Sequence, residues 1–116
     1  QDADVLTMME TVIRTFGTVD IFVNDAALQL NKCLLENTAD EFLRVMDTNV
    51  TVTFICTQEA SICMIVQKNG GAIVNFSSTF AVVGSPGYLA YHASKRVIAS
   101  FSRAAAVALL CRTASG

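Results

Sequence analysis

Tyr91 and Lys95 are the two residues whose types and spacing most directly predict chemistry. In a helix, side chains four residues apart lie on the same face, so the phenol and the ammonium would be neighbours. A free phenol, with a pKa of about 10, is a poor acid/base at neutral pH, and a nearby ammonium improves it by favouring the phenolate. The pair therefore predicts proton transfer. The alternative is an ordinary exposed pair on a helix.

Three further polar residues stand at positions that such chemistry could use. Ser78 follows an apolar run thirteen residues before Tyr91, Asn49 interrupts an apolar helical stripe, and Asn24 ends a second apolar run. The alternatives are a turn serine, a satisfied helix asparagine and a turn asparagine. His92 is adjacent to Tyr91, and we predict that it lines the site or lies at the surface.

The elements that must position these residues alternate between helices and strands. Thr38 and Glu41 form a capping box at the start of the longest helical run. Runs with helical spacing and short β-branched runs predict an α/β fold with a parallel sheet, in which two strands would need further neighbours. In chain order the predicted elements are a helix ending at Gly17, a strand over 19–23, a helix over 38–68, a strand over 71–76 and a helix from Tyr88 to about Leu110.

The composition excludes several classes of function. A net charge of −2 gives no basic surface, so no nucleic-acid partner is predicted. The longest apolar run, 50–66, is interrupted by polar residues and falls short of the roughly 20 residues that a membrane span needs. The four cysteines and the one histidine lack metal-ligand spacing, so no metal site is predicted. With no signal pattern at the N-terminus, these features predict a cytoplasmic protein with reduced cysteines.

Four segments together resemble one known family. Tyr91-His92-Ala93-Ser94-Lys95 resembles the Tyr-x-Ala-Ser-Lys signature of the short-chain dehydrogenase/reductase family. Ser78, after the run 71–76, stands at the distance of that family's serine. Asp47-Thr48-Asn49-Val50 and the run 19–24 are similar to its asparagine motif and to the strand that leads into Asn-Asn-Ala-Gly. The resemblance covers nearly the whole chain and implies a partial Rossmann-like, doubly wound parallel sheet.

The resemblance also implies a role for each of these residues. Tyr91 would be the acid/base for a substrate oxygen, and Lys95 would assist it and hydrogen-bond the nicotinamide ribose of NAD or NADP. Ser78 would hold the oxygen of a small-molecule alcohol or carbonyl substrate. Asn49 would anchor a water that links Lys95 to solvent. Asn24 would lie beside the cofactor at the carboxyl end of its strand.

The sequence departs from the family pattern at two residues and in its extent. Asp25 and Ala27 stand where asparagine and glycine are usual, and a carboxylate cannot donate the hydrogen bond that an amide can. No glycine-rich phosphate-binding turn matches. Residues 1–116 are thus expected to form the central, catalytic part of one domain without that turn and the C-terminal strands, and to be inactive alone. The full product is expected to be a homodimer or homotetramer. The alternative is a truncated, non-catalytic module that oligomerises through its long helices.

Overall fold

The computed structural model of the chain describes residues 2–79 and 84–115. The predicted order of helices and strands is confirmed. The loop predicted after Ser78 lies partly outside the described residues, at 80–83. In chain order the elements are α1 (Asp2–Phe16), β1 (Ile21–Asn24), α2 (Ala39–Met46), a π-helical segment (Asp47–Thr51), α3 (Val52–Gln67), β2 (Ala72–Asn75) and α4 (Leu89–Ser115).

The ends of the helices follow the signals in the sequence. At the start of α2 the Thr38 hydroxyl accepts the Glu41 N–H at 3.2 Å, and the Glu41 carboxylate accepts the Thr38 N–H at 3.0 Å, which confirms the predicted capping box. Gly17, with φ of 87°, follows α1 and is the left-handed stop that the sequence predicts. The helix predicted over 38–68 is continuous, but one π-helical turn around Asn49 separates α2 from α3.

The two strands pair in parallel at the centre of the described fold. Ile21 lies opposite Ala72 and Asn24 opposite Asn75, so the two strands end at the same level. Helices α1 and α3 cover one face of this sheet, where Phe22 and Ile73 contact the core. The core residues are Val5, Met9, Val19, Cys56, Ala60 and Met64. Burial raises the pKa of the Cys56 thiol, which keeps it protonated and unreactive at neutral pH.

The other face of the sheet is apolar and open. Ile21 is 68% exposed, and Val23 and Val74 beside it are exposed as well. Buried parallel strands carry apolar residues on both faces, because helices normally cover both. The pattern therefore fits a sheet built to receive a second layer.

The expectation that no stretch is long and apolar enough to cross a membrane is wrong, although the length of the helix itself was predicted. The stretch Ala39–Gln67 is long and apolar enough to cross a membrane by length and composition, whereas the sequence predicted no such run. The reason is that α2, the π-helical segment and α3 form one continuous 29-residue helix. Val45, Cys56, Ala60 and Met64 of this stretch are buried within the fold. A core helix of a soluble protein passes the same test, so this length is weak evidence for a membrane span.

Gln67 joins the beginnings of the two strands through its side chain. Its oxygen accepts the Val19 N–H at 3.0 Å, and its amide nitrogen donates to the carbonyls of Val19 at 2.7 Å and Gly70 at 3.1 Å. Val19 is buried, so its main-chain groups need these partners. The side chain thus takes the place of a neighbouring strand just before β1 begins.

Replacement of Gln67 by Leu is expected to lower the free energy of unfolding by about 1–3 kcal/mol, because two buried main-chain groups lose their partners. Urea denaturation of the two proteins measures the difference. Gln58→Leu, at an exposed position of the same helix, is the matched control and should change stability by less than about 0.5 kcal/mol. Equal losses in both variants would contradict a specific role for Gln67.

Candidate active site

The sequence-predicted residues gather around the carboxyl ends of β1 and β2. Asn24 ends β1, and Ser78 follows β2 by three residues. Tyr91 and Lys95 lie in the first turns of α4, which packs against α2 and the π-helical segment. In parallel α/β sheets this edge is where ligands bind.

Lys95 is the charged centre of the site. Its side chain is only 5% exposed, and its ammonium donates to the carbonyl of Phe76 at 3.0 Å. The same nitrogen lies 5.6 Å from the centroid of the Tyr91 ring, which confirms that the two side chains share one face. The Ser77 hydroxyl donates to the Lys95 carbonyl at 2.8 Å. Residues 76 and 77, which directly follow β2, therefore bind both the side chain and the main chain of Lys95.

Asn49 is 1% exposed and sits in the middle of the π-helical segment. Its side-chain oxygen accepts the Leu28 N–H at 2.6 Å, and its amide nitrogen donates to the Leu28 carbonyl at 2.9 Å and to the Ser94 hydroxyl at 3.0 Å. Ser94 in turn donates to the carbonyl of Tyr91 at 2.8 Å. The asparagine thus joins the segment after β1 to the turn of α4 that carries the tyrosine.

These contacts limit how Asn49 could anchor a water. Both amide hydrogens are used by Leu28 and Ser94, so a water can bind Asn49 only by donating to its side-chain oxygen or to its main-chain carbonyl. The Thr53 hydroxyl already donates to this carbonyl at 3.0 Å. The predicted water contact remains a prediction.

Asn24 belongs to a chain of polar side chains beneath the site. Its amide donates to the side-chain oxygen of Asn75 at 2.7 Å and lies 3.3 Å from the Thr57 hydroxyl. The Asn75 amide then donates to Ser102 of α4 at 3.0 Å. The amide of Asn24 therefore faces the helices, and its predicted place beside a cofactor stays a prediction.

Sequence reasoning missed Asn75 and Ser102. The signal that could have found Asn75 is its equivalence to Asn24, because each asparagine is the last residue of its strand. Ser102 has no such signal. It lies seven residues beyond Lys95 in an alanine-rich helix, and only the packing shows its partner.

A second contact that sequence reasoning missed joins Lys32 to the residues just before α4. The Lys32 N–H donates to the carbonyl of Gly87 at 2.6 Å, and Lys32 forms an isolated parallel bridge with Tyr88. The Lys32 ammonium lies 2.7 Å from the Glu41 carboxylate. That contact, with the Thr38 N–H, holds the pKa of Glu41 below its usual 4.5. The loop after β1 is thereby fixed both to α2 and to the start of α4.

His92 and Ser78 complete the surroundings of Tyr91. The Nε2 atom of His92 lies 3.1 Å from the Ser85 nitrogen and 2.8 Å from its hydroxyl oxygen. Ser78 is half-buried in the loop after β2. The arrangement therefore offers a phenol, a buried ammonium and a serine hydroxyl at one edge of the sheet, the set of groups that proton transfer at a polar substrate requires.

Comparisons with known proteins identify the family of the chain. The family profile described as short chain dehydrogenase matches residues 1–112. A 3-oxoacyl-(acyl-carrier-protein) reductase of Staphylococcus aureus is 37% identical over 96% of this chain and 45% of its own length. A 3alpha-hydroxysteroid dehydrogenase of Mediterraneibacter gnavus is 35% identical over 94% of this chain and 43% of its own.

Solved structures give the same result for the fold. A short-chain type dehydrogenase/reductase from Mycobacterium marinum superposes with a TM-score of 0.92 at 29% identity, over 95% of this chain and 44% of the other. An NAD⁺-bound xylitol dehydrogenase gives 0.88 at 34% identity, over 95% and 42%. These likenesses confirm the predicted fold class. The chain spans less than half the length of the relatives that it matches.

Proposed function

The chain belongs to the short-chain dehydrogenase family, and we propose on that basis that its protein is an NAD(P)-dependent oxidoreductase that interconverts an alcohol and a carbonyl. The observation that carries the proposal is the buried Lys95 ammonium 5.6 Å from the Tyr91 ring, at the carboxyl edge of the sheet. A buried cation is costly, and one held beside a phenol stabilises the negative charge that proton release leaves there. Tyr91 is the proposed acid/base.

Each of the predicted residues has a separate role in the proposed reaction. Tyr91 moves a proton at its phenol oxygen, and Ser78 holds the reacting oxygen of the substrate through its hydroxyl. Lys95 stabilises the phenolate and hydrogen-bonds a ribose hydroxyl. Asn49 positions the turn of α4 through Ser94, and it anchors a water.

The residues fit the nicotinamide end of a cofactor. Lys95 supplies a cation at the carboxyl edge of the sheet, where ligands of parallel sheets bind, and Asn24 ends β1 at that edge with its amide toward the helices. The nicotinamide, when bound, donates or accepts the hydride. NAD and NADP are both compatible with these residues, since the groups that distinguish them bind elsewhere in this fold.

The proposal is tested by assaying the full-length protein with each cofactor against a 3-oxoacyl-(acyl-carrier-protein), a 3alpha-hydroxysteroid and xylitol, the compounds in the names of its relatives. We expect cofactor turnover with at least one of these compounds. Ser78→Ala should then lower kcat by about 10²-fold, and Ser100→Ala, on an exposed position of α4, should not. Absence of both turnover and cofactor binding would refute the proposal.

A second candidate function is self-association without catalysis. Phe54 of α3 and Phe101 of α4 contact each other with their rings edge to face, and the ring centroids are 6.1 Å apart. Ile62 and Val66 lie beside this contact and are exposed, which is the apolar surface that homo-oligomers bury. We propose that the full-length protein is a homodimer or homotetramer. The mass in solution tests this, and a cofactor-free oligomer would favour the non-catalytic alternative.

We also propose a cytoplasmic location. All four cysteines lie within the described residues and are free thiols, and the long helix packs Cys56, Ala60 and Met64 into the core. Fractionation of cells that express the tagged protein tests the location.

A further inference from the structure

The segment before α4 is a tight turn from Ser85 to Tyr88. Pro86 occupies its second position and Gly87 its third, with φ of +92°, which is the pattern of a type II turn. The same glycine is required for space, because an added Cβ would collide with the side-chain oxygen of Asn31. The backbone of the turn is therefore well defined.

Two contacts hold this turn in place from opposite ends. On one side the Gly87 carbonyl accepts the Lys32 N–H at 2.6 Å. On the other side Nε2 of His92 lies 3.1 Å from the Ser85 nitrogen and accepts its N–H. A main-chain N–H can only donate, so this contact requires an unprotonated Nε2.

The hydrogen bond between Ser85 and His92 joins the two ends of a segment that contains Tyr91. His92 is the residue after Tyr91 in the first turn of α4, and Ser85 lies six residues before the tyrosine. The hydrogen bond therefore closes a loop of residues 85–92 that contains Tyr91. The side chains of Ser85 and Pro86 are exposed at its outer side.

We propose that His92 is a positioning residue that fixes the 85–88 turn beside Tyr91 and thereby sets how well the substrate fits. The inference rests on the proposed function, since it assigns the turn to the rim of that same site. The Tyr-x-Ala-Ser-Lys pattern allows any residue at the position of His92. The hydrogen bond to Ser85 gives this histidine a role in holding the turn. His92 acts on the turn, so its loss affects substrate binding and leaves proton transfer by Tyr91 in place.

The two interpretations of His92, structural and substrate-fitting, make different predictions. A partly exposed hydrogen bond contributes about 0.5–1.5 kcal/mol to stability, so its removal does not unfold the protein. A purely structural role would lower stability slightly and change no kinetic constant. A positioning role raises KM and leaves kcat nearly unchanged.

The experiment compares the full-length wild type with His92→Leu and His92→Gln. We expect His92→Leu to raise the KM of the substrate by about tenfold, with kcat and the cofactor Kd within about twofold. In His92→Gln the amide oxygen accepts the same N–H, so KM should return to within about twofold of wild type. Ser85→Ala keeps the N–H and should also retain the wild-type KM.

Three results would overturn the proposal: an unchanged KM in His92→Leu, a fall in kcat as large as the rise in KM, or no rescue by Gln. Hydrogen exchange of the Ser85 amide, followed by NMR, provides a readout that needs no turnover. Protection in wild type and His92→Gln, lost in His92→Leu, is expected. Equally fast exchange in all three proteins refutes the contact itself. An inactive wild-type protein with a protected Ser85 amide refutes the proposed function and the substrate-fitting role, while the contact stands.

Discussion

Replacement of Tyr91 by Phe is expected to lower kcat of the full-length protein by about 10²- to 10⁴-fold and to leave the cofactor Kd within about threefold. The reason is that only the phenol oxygen is removed. The ring that lies 5.6 Å from the Lys95 ammonium is retained, so packing in the first turn of α4 should not change. Steady-state kinetics and cofactor titration measure the two quantities separately.

Tyr88→Phe is the matched control, because it makes the same substitution at the only other tyrosine, three residues earlier. Its main chain bridges to Lys32, and that contact does not need the phenol. We expect kcat to fall by less than about tenfold in this variant. Similar losses in the two variants, or full activity of Tyr91→Phe, would remove Tyr91 from the role of acid/base.

Replacement of Lys95 by Met has the second large expected effect and differs in kind from the first. Met fills most of the buried space and removes the charge and the hydrogen bond to Phe76. We expect kcat to fall by about 10²-fold or more, because the phenolate loses its counter-charge. The cofactor Kd should rise by about 10- to 100-fold, the value of one hydrogen bond to a charged group. Isothermal titration calorimetry and kinetics measure these changes.

Lys68→Met provides the control for this substitution, since Lys68 is exposed at the end of α3. It should change neither quantity by more than about twofold. The thermal unfolding of both variants shows whether the fold persists. If Lys95→Met weakens turnover with an unchanged cofactor Kd, the assigned ribose contact is wrong. If it changes stability alone, Lys95 has no role in proton transfer.

The helices, the strands and the Tyr91–Lys95 pair were predictable from the sequence because their signals are local. The Thr38–Glu41 capping box depends on residues three apart, and the contact of Tyr91 with Lys95 depends on residues four apart in one helix. Both are confirmed by the structure. Strand positions followed from short β-branched runs with turn residues at their ends.

The remaining features depend on contacts between distant segments. The π-helical turn at Asn49 changes the spacing by one residue, and a helical periodicity over thirty residues does not reveal such a change. The orientation of Asn24 toward Thr57 is set by the packing of α3 on the sheet. The bridge between Lys32 and Tyr88 joins loops more than fifty residues apart, and neither loop has a periodic pattern.

The hydrogen bond between Asn24 and Asn75 also affects which register the two strands can adopt when the protein folds. Asn24 meets Asn75 only when β1 and β2 are paired as observed. A slip of β1 by one residue would turn the Asn24 amide toward the opposite face and leave the Asn75 amide without its partner inside the protein. Each unpaired amide left inside the protein costs about 1–3 kcal/mol. The two asparagines therefore penalise misaligned strands, and they discriminate against a wrong pairing that apolar residues alone would tolerate.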